Sequence, residues 1–285
     1  MNTLIIGSGF GLYGYLPAIS IFSKNVYLNK NYKNKFIKRK NLKNYLKKIK
    51  WYSDQSKIID LIDYIVVAKR PQDQFKIIKD LLNKKNNFKH LFLEKPMDIN
   101  PNSSLNLINY LYKKKIKHSF GFIFQYLKWY KFIKSKIKKN QSFNITWHIK
   151  INKKNNKWKY DHTKGGGLIR FYGIHLIKLI FDLGFINIEK NTTSSNYWLS
   201  TLYDKDNNSI NLELRFAKKD NFIFKFNKKK IFQSANPFLK VITKKKNDPR
   251  CIILRKYISS NISNYKYNFI KNCNFINFWK KIENI

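Results

Sequence analysis

A chain of 285 residues with 43% hydrophobic and 16% aromatic side chains has material for a sizeable core, and this excludes intrinsic disorder. Its formal charge of +42 invites a nucleic-acid reading through counterion release. Nearly all of that charge is Lys dispersed among Asn, Ile, Phe and Tyr, while Arg, the better bidentate reader of phosphate and guanine, occurs only at Arg39, Arg70, Arg170, Arg215, Arg250 and Arg255.

That dispersal matches the codon drift of an AT-rich genome, and no nucleic-acid partner is expected. The two cysteines, Cys251 and Cys273, form neither a disulfide framework nor a metal-ligand spacing. A reducing, cytoplasmic setting and no metal are expected. The N-terminus has no basic leader, and no apolar run approaches the ~20 residues of a membrane span, so neither export nor a membrane is expected.

In chain order, Leu4-Ile6, Val26-Leu28, Tyr64-Ala68 and Leu91-Leu93 read as short strands. The segments Leu16-Phe22, Lys40-Lys48 and Gln72-Leu82 read as helices between them, the alternation of a parallel sheet covered by helices. A helix over Ser103-Lys115 follows, with Pro101 just before its start. From about Ser142 the pattern changes to half-buried strands at Phe143-Ile151, Tyr197-Tyr203, Ile210-Phe216 and Phe222-Phe226. One helix between Gly165-Gly166-Gly167 and Gly184 interrupts them, and a terminal helix covers Tyr265-Ile285. The basic runs Lys228-Lys230 and Lys244-Lys246 read as solvated turns. The expected fold is an α/β Rossmann domain over 1–122, followed over 123–285 by an α+β domain with a large, mostly antiparallel sheet.

The chemistry begins at Gly7-Ser8-Gly9-Phe10-Gly11 directly after the first strand. A dinucleotide needs a first glycine for the tight turn, a second for backbone approach to the pyrophosphate, and a helix behind them to stabilise the anion. The third glycine of that pattern falls at Leu12, flanked by Gly11 and Gly14. At the end of the second strand, where an acidic residue would bond the ribose of NAD, stand Asn29 and Lys30. With no carboxylate there to repel a 2′-phosphate, NADP is expected over NAD, with NAD as the alternative.

Four features in order carry a family resemblance: the glycine turn; Ala68-Lys69-Arg70-Pro71; Glu94-Lys95-Pro96 after the fourth strand; and Gly165-Gly166-Gly167 followed by Gly173-Ile174-His175. Over residues 1 to 185 the chain resembles the Gfo/Idh/MocA dehydrogenases and reductases, in a divergent branch associated with biosynthetic gene clusters. The resemblance implies hydride transfer between nicotinamide and a sugar, nucleotide-sugar or related biosynthetic intermediate. It implies a cofactor site from Gly7, Gly9, Phe10, Gly11, Asn29, Lys30, Ala68, Lys69, Arg70, Pro71, Glu94 and Lys95, and a cis turn at Pro96. Lys95 would position and polarise substrate, and His175 would act as acid or base. Trp158, Arg170, Phe171, Lys95 and His175 would contact substrate, and pairing of exposed sheets implies a homo-oligomer. Sugar-oxidising members carry Asp four residues before the histidine, where this chain has Phe171; either Tyr172 or Lys95 then assists His175, or the substrate differs from a simple polyol, or turnover has been lost. That departure keeps a second expectation open, a catalytically retired Rossmann protein that binds dinucleotide or carbohydrate as sensor or scaffold.

Overall fold

The fully buried tetrads Tyr64-Val67 and His90-Leu93 can be satisfied only by strands covered on both faces, as in the interior of a parallel sheet. The computed structural model, which describes residues 1–84, 87–151, 157–238, 247–266 and 268–284, contains such a sheet. In chain order the first elements are β1 (Asn2–Ile6), α1 (Leu16–Ile19), β2 (Asn25–Asn29), α2 (Lys33–Ile37), β3 (Ile49–Tyr52), β4 (Tyr64–Val67), α3 (Pro71–Lys84), β5 (His90–Leu93), α4 (Pro101–Lys113) and β6 (His118–Phe120). The rest are α5 (Lys128–Lys136), β7 (Ser142–Lys150), α6 (Ile174–Leu183), β8 (Asn187–Thr193), β9 (Tyr197–Tyr203), β10 (Ser209–Ala217), β11 (Asn221–Phe226), β12 (Lys229–Ser234), α7 (Arg250–Ser263) and α8 (Phe269–Glu283).

The first sheet has strand order β3-β2-β1-β4-β5-β6, with every pairing parallel. This is the dinucleotide-binding order, whose direction reverses between β1 and β4 and opens a crevice at the carboxyl ends of those strands. The second sheet has order β12-β11-β7-β10-β9-β8; its β7–β10 pair is parallel and its other pairs antiparallel. Its strands alternate, as in β7, where Phe143, Ile145, Trp147 and Ile149 are buried and the intervening residues are not. Such a sheet buries one face and leaves the other wet.

Several elements differ from expectation. Lys40–Lys48 is a 3-10 segment rather than an α-helix, and Pro101 is the first residue of α4 rather than its predecessor. The helix expected between the glycine triplet and Gly184 begins as a π-helical turn over Leu168–Gly173 before α6. Strands β3, β6, β8 and β12 and helices α2, α5 and α7 were not expected. The strands are three or four residues long, as in β3 and β6, or polar edges such as β8 and β12 whose apolar alternation is weak. The Lys244-Lys246 run lies outside the described residues.

Two compact units result. The first holds Met1–Asp98, Asn106–Gly121 and the described part of Val241–Phe269; the second holds Ile99–Leu105 and the described parts of Phe122–Lys240 and Ile270–Ile285. The boundary expected at 122/123 is therefore crossed by a returning segment. Helix α7 joins the first unit because Cys251 Sγ donates to Tyr13 O (3.2 Å), Arg255 Nη2 to Pro17 O (3.1 Å), and Tyr257 OH pairs with Ser119 Oγ (2.7 Å). No helix among the described residues is long and apolar enough to cross a membrane.

Two histidines are buried where β5 and β6 begin. His90 Nε2 pairs with Ser119 Oγ (2.9 Å) and His118 Nδ1 with the Ile116 carbonyl (2.7 Å). Burial pushes them down to about 3 and about 4 respectively. Folding thus favours their neutral forms. Their contribution is complete above the unfolded value of about 6.5 and is lost as pH falls from there towards the folded values. The melting temperature should drop between pH 7 and pH 4.5, and less steeply in His90→Gln/His118→Gln; equal slopes in the two proteins would contradict this.

Candidate active site

β1 delivers the chain into a turn that only glycine can make. Gly7 has φ of +141°, and a Cβ there would stand 2.2 Å from the Ala68 carbonyl oxygen. The same approach brings the two expected cofactor loops together, since Ala68 N–H donates to Ile6 O (2.8 Å). A Cβ at Gly9 would meet nothing within 4 Å, so its backbone borders open space of the kind a pyrophosphate requires. Gly11 sits where a Cβ would lie 3.0 Å from Ile5 Cγ2. It takes the helix–strand packing role of the third glycine, and Leu12 is fully buried.

The carboxyl end of β2 also faces this turn. Asn29 accepts from Asn31 N–H (2.9 Å), capping the short helix in which Lys30 is exposed. Two residues not anticipated from the sequence reach across: Gly7 N–H donates to Tyr32 OH (3.1 Å), and Lys35 Nζ donates to Ser8 Oγ (3.0 Å). Lys69 and Arg70 are exposed and Pro71 starts α3.

Glu94-Lys95-Pro96 leaves β5 at the same sheet edge, with a cis peptide between Lys95 and Pro96. Gln74 of α3 is fully buried and holds the turn by donating from Nε2 to the carbonyls of Glu94 (3.0 Å), Pro96 (3.3 Å) and Met97 (2.9 Å). Tyr15 OH donates to Glu94 Oε1 (3.0 Å). Burial pushes the Glu94 carboxyl up to about 7, against the opposing pull of Lys95, the Tyr15 hydrogen bond and Arg250. Burial and the charge of Glu94 hold the Tyr15 hydroxyl protonated. Phe10 packs edge-on against Tyr13 and Tyr15, with the Arg250 guanidinium 4.3 Å from its ring centre. Arg250 is itself clamped by Asp248 at 2.9 and 2.7 Å. Tyr15 follows the glycine turn at helical spacing and was findable. Arg250 lies some 240 residues further along, and no local signal announces it.

In the second unit the π-helical turn changes the expected stereochemistry. With i→i+5 bonding, Ile174 N–H donates to Ile169 O, and Phe171 does not stand one α-helical turn before His175. Phe171 instead lies perpendicular to Trp158 (5.4 Å) and to Tyr172 (4.7 Å), with Lys159 Nζ 5.3 Å from its ring centre. Tyr172 also meets Trp147 and Phe216, and burial with the neighbouring Tyr160 keeps its hydroxyl protonated. Trp158, Phe171 and Tyr172 thus form one half-buried aromatic group.

Arg170, expected at the substrate, is committed elsewhere. Its Nε donates to both Glu283 oxygens (3.0 Å each), Nη2 to Glu283 Oε2 (2.7 Å), and Nη1 to Ile99 O and His162 O (3.0 Å each). A buried guanidinium needs such partners, and this one has them from the C-terminal helix. His175 is 6% exposed. Its ring is stacked on Phe124 at 4.6 Å and 3°, with Phe122 and Phe238 edge-on. Among the described residues no group of three His, Cys, Asp or Glu side chains is placed to hold a metal ion.

Residues 1–122 match the family described as oxidoreductase family, NAD-binding Rossmann fold. No curated protein sequence matches the chain. Solved structures share its fold over nearly the whole length. The WlbA (WbpB) dehydrogenase from Thermus thermophilus, in complex with NAD and UDP-GlcNAcA, is 12% identical, with 98% of this chain and 93% of that one covered at a TM-score of 0.69. A dehydrogenase (MviM) from Clostridium difficile is 19% identical, with 100% and 99% covered at 0.69. The super-repressor mutant of Gal80p from Saccharomyces cerevisiae is 11% identical, with 100% and 96% covered at 0.72.

Proposed function

We propose, for a chain whose residues 1–122 belong to the Gfo/Idh/MocA oxidoreductase family, that it moves hydride between a nicotinamide dinucleotide and a carbon bearing oxygen or imine nitrogen, in a sugar, nucleotide-sugar or related biosynthetic intermediate. The observation that carries this is the convergence of Gly7, Gly9, Ala68 and Glu94-Lys95 at one edge of the parallel sheet, beside its switch point. The open backbone at Gly9 suits the pyrophosphate. When bound, the nicotinamide supplies or takes the hydride. Lys95, anchored by a turn that Gln74 pins, orients and polarises the reacting oxygen. His175 exchanges its proton, and Tyr172, with its hydroxyl kept protonated, serves as a hydrogen-bond donor. Trp158 and Phe171 offer the substrate apolar ring faces. The setting is cytoplasmic, and the assembly a homo-oligomer.

NADP is the proposed cofactor, because Asn29 and Lys30 present no carboxylate and Lys35 adds a second cation at Ser8. NADPH should raise the melting temperature more than NADH at equal concentration, and Lys30→Asp should reverse that order. NADH binding as tightly as NADPH in the wild type, with no change in Lys30→Asp, overturns the 2′-phosphate argument. A second reading, a retired Rossmann protein acting as sensor or scaffold, draws on Phe171 and on the fold shared with a repressor mutant. Tight dinucleotide binding without turnover of any sugar, nucleotide-sugar or imine would favour it.

A further inference from the structure

Helix α6 carries His175, Lys178 and Asp182 at spacings of three and four residues, which places them along one face. With Gln125 and Tyr130 they line a cavity of about 10 Å³, room for a single water. Lys178 donates to Asp182 Oδ2, and Lys271 of α8 lies 2.9 Å from Asp182 Oδ1. The Lys178 and Asp182 side chains are 17% and 14% exposed, and that of Lys271 is 53% exposed. The rings that pack on His175, those of Phe122, Phe124 and Phe238, are uncharged. Lys178, Asp182 and Tyr130 are charged or titratable groups that line the cavity with it, and Lys271 lies behind Asp182. Burial draws Lys178 down while Asp182 holds it up, and burial with the charge of Asp182 keeps the Tyr130 hydroxyl protonated.

We infer that Asp182, paired with Lys178, is the carboxylate that serves His175: a positioning residue that tunes the imidazole and relays its proton through one water in the cavity, seven residues after the histidine instead of four before it. The inference rests on His175 acting as the acid–base group. In the oxidising direction His175 takes the proton of the reacting hydroxyl. Its proton then passes to the water, the water releases one to the Asp182 carboxylate, and Asp182 yields it to solvent on the exposed Lys271 side. Only O–H and N–H bonds form and break along this path.

Histidine-selective NMR titration of the full chain tests it without a substrate, the His175 resonance being identified by its loss in His175→Asn. Asp182→Asn leaves an unpaired cation in the cavity and should lower the His175 midpoint by about 0.5 unit or more. Lys178→Met removes the buried cation from Asp182, which keeps Lys271, and should raise it comparably, and Asp182→Glu should keep the wild-type value. His148, paired with Glu213 across β7 and β10 of the second sheet, should not move. Shifts of opposite sign show that the charges of the pair, and not its packing alone, act on the imidazole. Unchanged midpoints, or shifts in one direction, in variants that melt as the wild type does overturn the relay. If Asp182→Asn fails to fold, Lys271→Met at the exposed end should move His175 in the same sense as Lys178→Met, and no movement there also overturns it. Dinucleotide binding is measured separately, so failure of the relay is distinguishable from failure of the oxidoreductase reading.

Discussion

His175→Ala and Lys95→Ala are each expected to lose about 10²–10⁴ in kcat, the usual contribution of a positioned acid–base or electrostatic group, with cofactor affinity nearly unchanged. The reason is local. His175 is buried among the rings of Phe122, Phe124 and Phe238, in a unit that does not contain the glycine turn. Lys95 projects from a turn whose carbonyls are held by Gln74, so removing its ammonium leaves the backbone in place. In the proposed mechanism one group orients the oxygen that the other protonates, so the double variant should lose less than the product of the single losses. The measurement is nicotinamide fluorescence with sugars, nucleotide-sugars and small imines. A His175→Ala rate within about twofold of wild type, far short of the acid–base range, would make His175 a core residue only.

Glu283→Gln is expected to cost about 3–5 kcal/mol of stability, the usual penalty for stranding one member of a buried ion pair. Side-chain exposure is 6% for Arg170 and 4% for Glu283, and the carboxylate also accepts from Trp279 Nε1 (2.8 Å). Chemical denaturation should show the loss, with a fall of roughly 10 °C in melting temperature for a chain of this size. Arg170→Met/Glu283→Leu, which strands neither charge, should recover part of it. A loss below about 1 kcal/mol in Glu283→Gln, the range of a surface pair, would show the guanidinium to be adequately served by the Ile99 and His162 carbonyls alone.

The features legible beforehand share a physical cause: each is imposed on neighbouring residues by local geometry. Apolar tetrads such as Tyr64-Val67 can only be covered strands. Gly7 can only be glycine against the Ala68 carbonyl, and Glu94-Lys95-Pro96 must follow β5 to reach the crevice. The alternation in β7, β9, β10 and β11 announced a sheet wet on one face. Residues were misjudged where their partners are distant in sequence. Arg170 looked available for substrate because Glu283 lies 113 positions away. An α-helical spacing places Phe171 one turn before His175, but the chain makes a π turn there, which the composition of Leu168–Gly173 does not announce.

By itself the sequence determined the two sheet types, the dinucleotide turn and the identity of Lys95 and His175 as candidates, because strand periodicity, a glycine-only backbone and a short motif after a strand are local constraints. Only the tertiary structure decided that α7 returns to the first unit and brings Arg250 over Phe10, that Arg170 is a buried structural cation, and that Asp182 shares a cavity with His175. Those outcomes depend on which distant side chains can satisfy a buried charge or fill a particular face, and many arrangements of Lys, Asn and aromatic residues meet the same local pattern.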